Sequence, residues 1–591
     1  MKRKIIIFSI LIMLVCSYLM ANNQLWTWYP LPFFLAFWTI IFTLKSNKFD
    51  RIDQGKLIVL STITGIWLSI GFPGITGFAP ILFISLVPIF YIHNYLQKQK
   101  ASLREYWFYI YHALVIWNII TTWWVANSVL APSFIAIFLN SFFMSLPWLV
   151  FWKINQSKKI NSFLKLYSIL PFWLIFEYIH LRWEISWPWL TLGNSWSSYF
   201  PFVQWYQYTG VHGGTIWIFL INILVYKLLE INNFEFNSQI FFRKTLKKYW
   251  IAISVVLFIP LLLSIYLYLK PDPTSSQSAS VIIVQPNFEP HYEKFSLPEE
   301  FQVQRFMELI DQKIDGKTDY IVCPETSFEN VNEYEIGMNN TFVDWQNYFS
   351  KYPNCCLISG IGSFKFLKPE EPTTRSTRIP KQNPNRRWEA YNAAVQFQQN
   401  KYEPFKFYHK SRFVPGAEIM PYPFLFGFLQ PMFDKFGGSM EGYGSQSDRS
   451  VFTNPKNYKI APAICFESIY GNFMRGFYQN GANAIFIMTN DGWWNNTPGY
   501  LQHHEFARLR AIESHRWIAR SANTGISSFI DTKGNSYQET NYNEMTVIKQ
   551  TIPLYDDKTI YSRFGDWIVY LFVGSFFVLF LLNLFFYKNI K

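Results

Sequence analysis

Long stretches of the chain carry no Asp, Glu, Lys or Arg: residues 5–44, 57–97, 106–152, 185–226, 249–269 and 567–587. A helix needs about 20 mostly apolar residues to cross a bilayer. Dividing the runs at their Pro, Gly and Asn breaks predicts spans near 5–21, 26–44, 57–72, 79–96, 107–127, 132–152, 166–181, 209–226, 249–269 and 567–587. Pro30 and Pro32 push the true start of the second span later. Between 271 and 565 the pattern changes. Charges become frequent, and short β-rich runs take over at 280–286, 320–325, 356–364, 392–397, 458–465 and 484–491, with a hairpin across 526–534 turning at Lys533–Gly534. Helical patterns at 299–315, 340–352 and 500–521 separate several of them, which predicts an α/β layered domain. The polar, Pro-rich stretch 365–390 reads as a loop inserted between two strands.

The expected organisation is therefore an added N-terminal pair of helices over 1–56, a transmembrane bundle over 57–270, a soluble domain over 271–565 and a last span over 566–591. Composition agrees with a mixed chain. Of 591 residues, 50% are hydrophobic, 20% aromatic and only 15% charged, against about 25% charged in ordinary globular proteins. Mean hydropathy is only +0.07, low for a chain made of spans alone. These values exclude a disordered chain, a disulfide mini-protein and a collagen-like repeat.

The net charge of +13 first suggests nucleic acid, but its placement answers otherwise. Lys2, Arg3 and Lys4 precede the first span. Lys45, Lys56, Lys98, Arg104, Lys153, Lys165, Lys227, Lys248, Lys588 and Lys591 fall in every second loop or at the C-terminus, whereas the alternate short loops 22–25, 73–78 and 128–131 carry no charge. Basic loops stay cytoplasmic, so both ends are expected in the cytoplasm and 271–565 outside. The excess is a topology signal, and no nucleic-acid partner is expected. The first span also has the form of a signal peptide, but the later charges favour its retention.

Five cysteines occur, none in a CxxC pair, so a zinc ribbon or thioredoxin-like site is not expected. Cys355 and Cys356 are neighbours that point oppositely in a strand, a poor disulfide pair. Cys465 is set apart by its surroundings. YIVCPETSF puts Glu325 at a strand end; YHKSRFVPGAEIMP places Lys410 eight residues before Glu418; APAICFESIYG puts Cys465 where an apolar strand meets Glu467. Each segment alone is weak. Together, a carboxylate, an ammonium and a thiol at the ends of separate strands can converge as base, oxyanion cation and nucleophile.

The order and wording of these segments resemble the nitrilase (carbon–nitrogen hydrolase) superfamily, with its Glu–Lys–Cys triad. MTNDGWW (488–494) and HHEFARLRAIESHRWIARSANTGIS (503–527) extend the likeness. GFPGITGFAPILFISLVPIF (71–90), TTWWVANS (121–128), FEYIHLRW (176–183), WPWLTLGNSW (187–196) and QYTGVHGGTIWIFLIN (207–222) are in turn similar to the apolipoprotein N-acyltransferases, over roughly residues 57–590. One departure follows the lysine: the family commonly has VPFGE, and this chain has VPGAE (414–418), which puts the turn geometry in question.

The resemblance implies a polytopic α-helical bundle plus an αββα, nitrilase-like extracytoplasmic domain in the bacterial inner membrane. It implies an acyltransferase without cofactor or metal. Cys465 would take an acyl chain from a phospholipid as a thioester, with Glu325 as base. Lys410 and the Phe466 N–H would hold the oxyanion, and Glu418 and Glu467 would orient Lys410 and the elbow. The acceptor would be the N-terminal amine of a lipoprotein whose cysteine already carries diacylglycerol. Phe433 and Phe436, in an apolar stretch over 420–438, are either a second core element or an arm dipping into lipid. Trp493 and Trp494 are either core or acyl-pocket wall. Glu177, His180 and Arg182 close a span, pairing with one another or lying beneath a headgroup pocket. The alternative is a membrane-tethered amidase using water as acceptor. A transporter with a sensory outer domain is disfavoured by the lack of internal repeats.

Overall fold

The computed structural model describes residues 2–589 except 47–48, 50–51, 235–243, 381, 400–404 and 430–441. The chain forms two compact units, Met1–Lys270 with Asp566–Lys591, and Pro271–Gly565.

In the first unit every predicted apolar run is helical. Among the described residues seven helices are long and apolar enough to cross a membrane: Lys2–Asn22, Ala79–Lys98, Leu130–Gln156, Ser162–His180, Val211–Ile231, Leu246–Leu269 and Trp567–Phe585. Pro30–Ser46 and Gln54–Ile70 are shorter, at 17 residues each. The first of these starts at Pro30, whose fixed φ suits a helix start. Leu103–Thr122 is 20 residues long but carries Arg104, Glu105, His112 and Asn118, which lower its hydropathy. Glu177, His180 and Arg182 do not pair with one another as the sequence suggested; each finds another partner. Glu177 accepts from Trp173 Nε1 (3.0 Å), Leu192 N (3.0 Å) and Thr215 Oγ1 (2.9 Å). His180 accepts from Trp183 Nε1. Arg182 instead meets Asp566, whose other oxygen is 3.1 Å from His212 Nδ1. Each has a local partner because an unpaired charge in such surroundings is costly.

The second unit is an αββα sandwich. Its strands are β1 (Gln277–Gln285), β2 (Tyr320–Val322), β3 (Phe328–Asn332), β4 (Cys356–Phe366), β5 (Trp388–Gln398), β6 (Phe405–His409), β7 (Phe452–Thr453), β8 (Lys459–Ile464), β9 (Ala484–Thr489), β10 (Ile518–Ala522), β11 (Ser528–Ile530), β12 (Ser536–Tyr537) and β13 (Thr546–Leu554). One sheet runs β13-β1-β2-β4-β5-β6 with β3 beside β4, and the other β12-β11-β10-β9-β8-β7. Alternation along each strand builds the layers. Ile282, Val284, Ile321, Leu357, Val395 and Phe397 face helices Glu299–Asp311 and Asn340–Phe349, meeting Phe306, Ile310, Phe342 and Trp345. Their neighbours face the other sheet, where the rings of Tyr320 and Phe486 lie 5.2 Å apart. Helices Gly471–Gln479 and Pro498–Ser514 belong to the second sheet, the latter completing the parallel β9–β10 crossover. The predicted 526–534 hairpin is the β11–β12 pair, with Gly534 at φ +89 in its turn. The expected insertion at 365–390 is shorter than its composition suggested. β4 and β5 pair out to Phe366–Trp388, so polar residues at both its ends are strand.

Candidate active site

Three strand ends position the candidate residues. Glu325 lies three residues beyond β2. The turn that carries it presses on β4 at Gly360, whose N–H donates to the Pro324 carbonyl (3.1 Å) and whose carbonyl accepts from Ser327 N (2.8 Å). A Cβ at 360 would sit 2.5 Å from Glu325 Cα, so only glycine lets the turn lie this close. Thr326 adopts φ +48 to make that turn. Lys410 follows β6 directly, with its N–H on the Asn392 carbonyl (2.9 Å). Cys465 follows β8 and opens the short helix Cys465–Ile469 at φ +47, an elbow in the left-handed region.

The side chains converge. Lys410 Nζ donates to Glu325 Oε1 at 2.9 Å and to Glu418 Oε1 at 2.7 Å. The Cys465 thiol and Glu325 carboxyl interact electrostatically, each shifting the other's proton affinity. Lys410 is 1% exposed, Glu325 6% and Cys465 7%. The chain keeps Glu418 in reach despite its altered turn. Gly416 takes φ +83, Pro415 bridges to Ile419, and Glu418 Oε2 accepts from Val414 N at 2.8 Å.

Electrostatics fix the resting charges. Burial pushes the Cys465 thiol well above its ordinary range and the Glu325 carboxylate adds to the shift, with Lys410 opposing. Burial would raise Glu325, but the Lys410 charge and the hydrogen bonds of Asn392 and Lys410, with the Cys465 thiol, hold it below the ordinary carboxylate value. Burial would lower Lys410, but Glu325 and Glu418 hold it well above. The centre therefore rests as carboxylate, ammonium and neutral thiol.

Glu467 braces the elbow rather than the reacting atoms. Its Oε1 accepts from Tyr408 Oη (2.9 Å), Ser411 N (2.6 Å) and Arg412 N (3.2 Å), and its Oε2 from Ile464 N (3.1 Å). Burial pushes it up to about 7 against those donors. Phe466, next in the elbow, is buried. Trp493 is half-buried and stacks on Phe295, with ring centroids 6.1 Å apart, and its edge meets His291. Trp494 meets His503 edge-on at 5.6 Å. Phe433 and Phe436 lie outside the described residues. In the described part of the same stretch, Phe424 and Phe428 are 81% and 78% exposed, which corrects the second-core reading for these residues.

The structure adds residues that the sequence did not single out. Asn392 on β5 donates to both Glu325 (2.8 Å) and Glu418 (3.0 Å), tying the two carboxylates. A polar residue within the apolar run YNAAVQF was its only signal. Lys294 is buried and donates to Thr326 Oγ1 (2.8 Å) and the Glu325 carbonyl (3.3 Å), anchoring the glutamate's turn. Burial pulls its ammonium down to about 8, opposed by Glu329 and Glu325. All five cysteines are free. Among the described residues, no group of three or more His, Cys, Asp and Glu is placed to hold a metal.

Comparison with known proteins bears on both units. Residues 64–224 match the family described as apolipoprotein N-acyltransferase N-terminal domain, and residues 283–557 match carbon–nitrogen hydrolase. Apolipoprotein N-acyltransferase of Chlorobaculum tepidum is 28% identical over 88% of this chain and 95% of its own. That of Thermotoga maritima is 24% identical over 87% and 92%. The yeast Nit3 structure, from the nitrilase superfamily, covers 50% of this chain and 96% of its own at 16% identity, with a TM-score of 0.33. The two relatives carry the acyltransferase name along nearly their whole length, and neither name supports the tethered amidase weighed above. Two family matches fall in chain order on a helical unit with spans and on an αββα unit, and the chain is a membrane protein similar to the apolipoprotein N-acyltransferases along most of its length.

Proposed function

We propose that this enzyme moves an acyl chain from a membrane phospholipid to the N-terminal amine of a diacylglyceryl-cysteine lipoprotein, by way of a thioester on Cys465. The observation that carries the site assignment is a single one: a strained, buried cysteine interacts electrostatically with a carboxylate that is itself bound to a buried lysine.

In the first half-reaction Glu325 takes the thiol proton as sulfur attacks the ester carbonyl. A C–S bond forms, and electrons move onto the carbonyl oxygen. Lys410 and the Phe466 N–H receive that charge. Two of the three ammonium protons go to Glu325 and Glu418, which leaves one for the oxyanion. When Glu325 becomes neutral, Lys410 loses one counter-charge and its field turns to the new anion. The ester C–O bond then breaks, and Glu325 returns its proton to the lysophospholipid oxygen. In the second half-reaction the acceptor's neutral amine attacks the thioester. A C–N bond forms, the C–S bond breaks, and the amine proton passes through Glu325 to sulfur. Asn392 and Glu418 keep Glu325 and Lys410 in register throughout.

Both substrates are lipids, and extracting an acyl chain into water costs about 0.8 kcal/mol per CH₂. Spans in the same chain avoid that cost. Phe424 and Phe428, with Phe433 and Phe436 beyond them, suit an apolar arm that meets lipid, and Trp493 suits an acyl-pocket wall. The loop charges favour cytoplasmic ends and a catalytic unit outside a bacterial inner membrane.

Purified protein incubated with acyl-labelled phospholipid and a synthetic diacylated lipopeptide tests this. The label is expected on Cys465 when the acceptor is withheld, and on the lipopeptide's amine when it is supplied. Cys465→Ala is expected to abolish both. Near-normal turnover in that variant, or label on Cys323, Cys355 or Cys356, refutes the assignment.

A further inference from the structure

The peptide unit joining Cys465 to Phe466 has two ends, and the residues around its carbonyl end are as ordered as the triad. The Cys465 carbonyl accepts from Ser468 Oγ at 2.7 Å. His503 Nε2 lies 3.3 Å from the same oxygen and 3.2 Å from Ser468 Oγ. A carbonyl oxygen only accepts, so Nε2 carries a proton and points it at this pair. The other ring nitrogen, Nδ1, is held 2.9 Å from Asp491 Oδ1. Asp491 is fixed in turn by Thr489 Oγ1 (2.7 Å) and Arg520 (2.6 Å). His503, Asp491, Ser468 and Arg520 are all buried. Nothing in the acyl-transfer scheme above uses them. A buried ion pair with this many fixed partners is costly to assemble unless it holds something in place.

We infer that His503, backed by Asp491, is a positioning residue that orients and polarises the Cys465–Phe466 peptide, so that the Phe466 N–H is a stronger donor to the oxyanion. Two donors on the carbonyl draw electrons toward its oxygen and leave the N–H at the other end of the same amide more positive, the cooperative strengthening of linked hydrogen bonds. They also hold Cys465 at φ +47, which fixes the direction of that N–H. The inference rests on the proposed role of the Phe466 N–H and deepens it: the helix Pro498–Ser514, through His503, tunes the oxyanion site without touching substrate.

The test separates oxyanion support from simple packing, because alkylation of Cys465 by iodoacetamide needs the thiol in place but no oxyanion. His503→Leu, His503→Gln and wild-type protein are compared in three measurements: the rate of that alkylation across pH, the acylation burst from a p-nitrophenyl ester of a long-chain fatty acid, and thioester formation from phospholipid. His503→Leu is expected to lose ~10- to 10²-fold in both acylations, less than removal of a whole oxyanion donor, with alkylation and its pH profile close to wild type. His503→Gln, whose amide N–H can reach the same carbonyl, is expected to recover part of the loss. Ser468→Ala removes the other donor to that oxygen and should show the same split, which keeps the test open if His503→Leu does not fold. Alkylation and acylation falling together in all three variants, or acylation unchanged, overturns the inference. Wild-type protein that is acylated by the p-nitrophenyl ester but not by phospholipid refutes the donor proposed above and leaves this inference standing, whereas no thioester from either donor overturns both.

Discussion

Glu325 is held below the ordinary carboxylate value and Cys465 well above the ordinary thiol value, so the proton starts on sulfur and its transfer is uphill. The two shifts share a cause, since burial without Lys410 would raise both groups. This makes the effects of single substitutions separable by pH. Glu325→Gln removes the base and should cost at least ~10²-fold in thioester formation. It also removes the carboxylate that raises Cys465 while leaving Lys410 to lower it, so the thiol of this variant titrates lower than in the wild type. Raising the pH then restores part of the lost rate. Lys410→Met deletes one oxyanion contact, worth ~10²–10³-fold, and removes the group that opposes the rise of the Cys465 pKa. Alkaline conditions are expected to help it less. Single-turnover acylation from pH 6 to 9 reads the difference; equal recovery of the two variants would confine Lys410 to tuning the thiol.

At the scale of elements, the site depends on how closely two backbone segments approach. A methyl at position 360 would stand 2.5 Å from Glu325 Cα and 2.8 Å from the Pro324 carbonyl oxygen, both backbone atoms that cannot swing aside. Gly360→Ala must displace the glutamate's turn, and a shift of about 1 Å in a catalytic group costs ~10²-fold. Over-packing of this kind destabilises by about 1–3 kcal/mol. The expected outcome is a folded enzyme with a modestly lower Tm, a large loss of kcat and little change in KM; unchanged kcat would show that the turn tolerates the shift. The same locality explains what the sequence could and could not reveal. Glu325, Lys410 and Cys465 stood out because each ends a β-rich run beside a turn residue. β1, β2, β4, β5, β8 and β9 were legible as continuous apolar strands. β13 was not, because TVIKQTIPL interleaves Lys and Gln on a half-exposed strand, and its place beside β1 is set by antiparallel pairing across more than 260 residues. Asn392 and His503 were illegible for a related reason. Their partners, Glu325 and the Cys465 carbonyl, lie 67 and 38 positions away.

Across the whole molecule, the described residues of the helical unit hold a buried ionic tie whose partners come from distant parts of the chain. Asp566, at the start of the last helix, meets Arg182 and His212. Removing one partner of a buried pair costs about 3–5 kcal/mol, so Asp566→Ala is expected to lower the Tm of the detergent-solubilised protein clearly. Replacing the solvated Lys100, an exposed basic residue, should leave it unchanged. The tie places Asp566 where the chain re-enters the helical unit, and that fixes a geometric demand. Pro271 leaves and Asp566 returns with no spanning helix among the described residues between them, so the αββα unit is expected on one side of the membrane. The basic loops choose which side. Lys2 to Lys4 precede the first helix, and Lys588 follows the last long apolar run. Lys and Arg resist export, so both ends should stay in the cytoplasm and Pro271–Gly565 should be exported. A reporter that is active only outside the inner membrane is therefore expected to work when fused near Pro273 and to fail when fused after Lys591. A cytoplasm-only reporter should give the opposite pattern. Export-dependent activity at Lys591 but not at Pro273 would invert the topology. That result would also place the αββα unit in the cytoplasm, away from the outer-leaflet lipids that the proposed reaction uses.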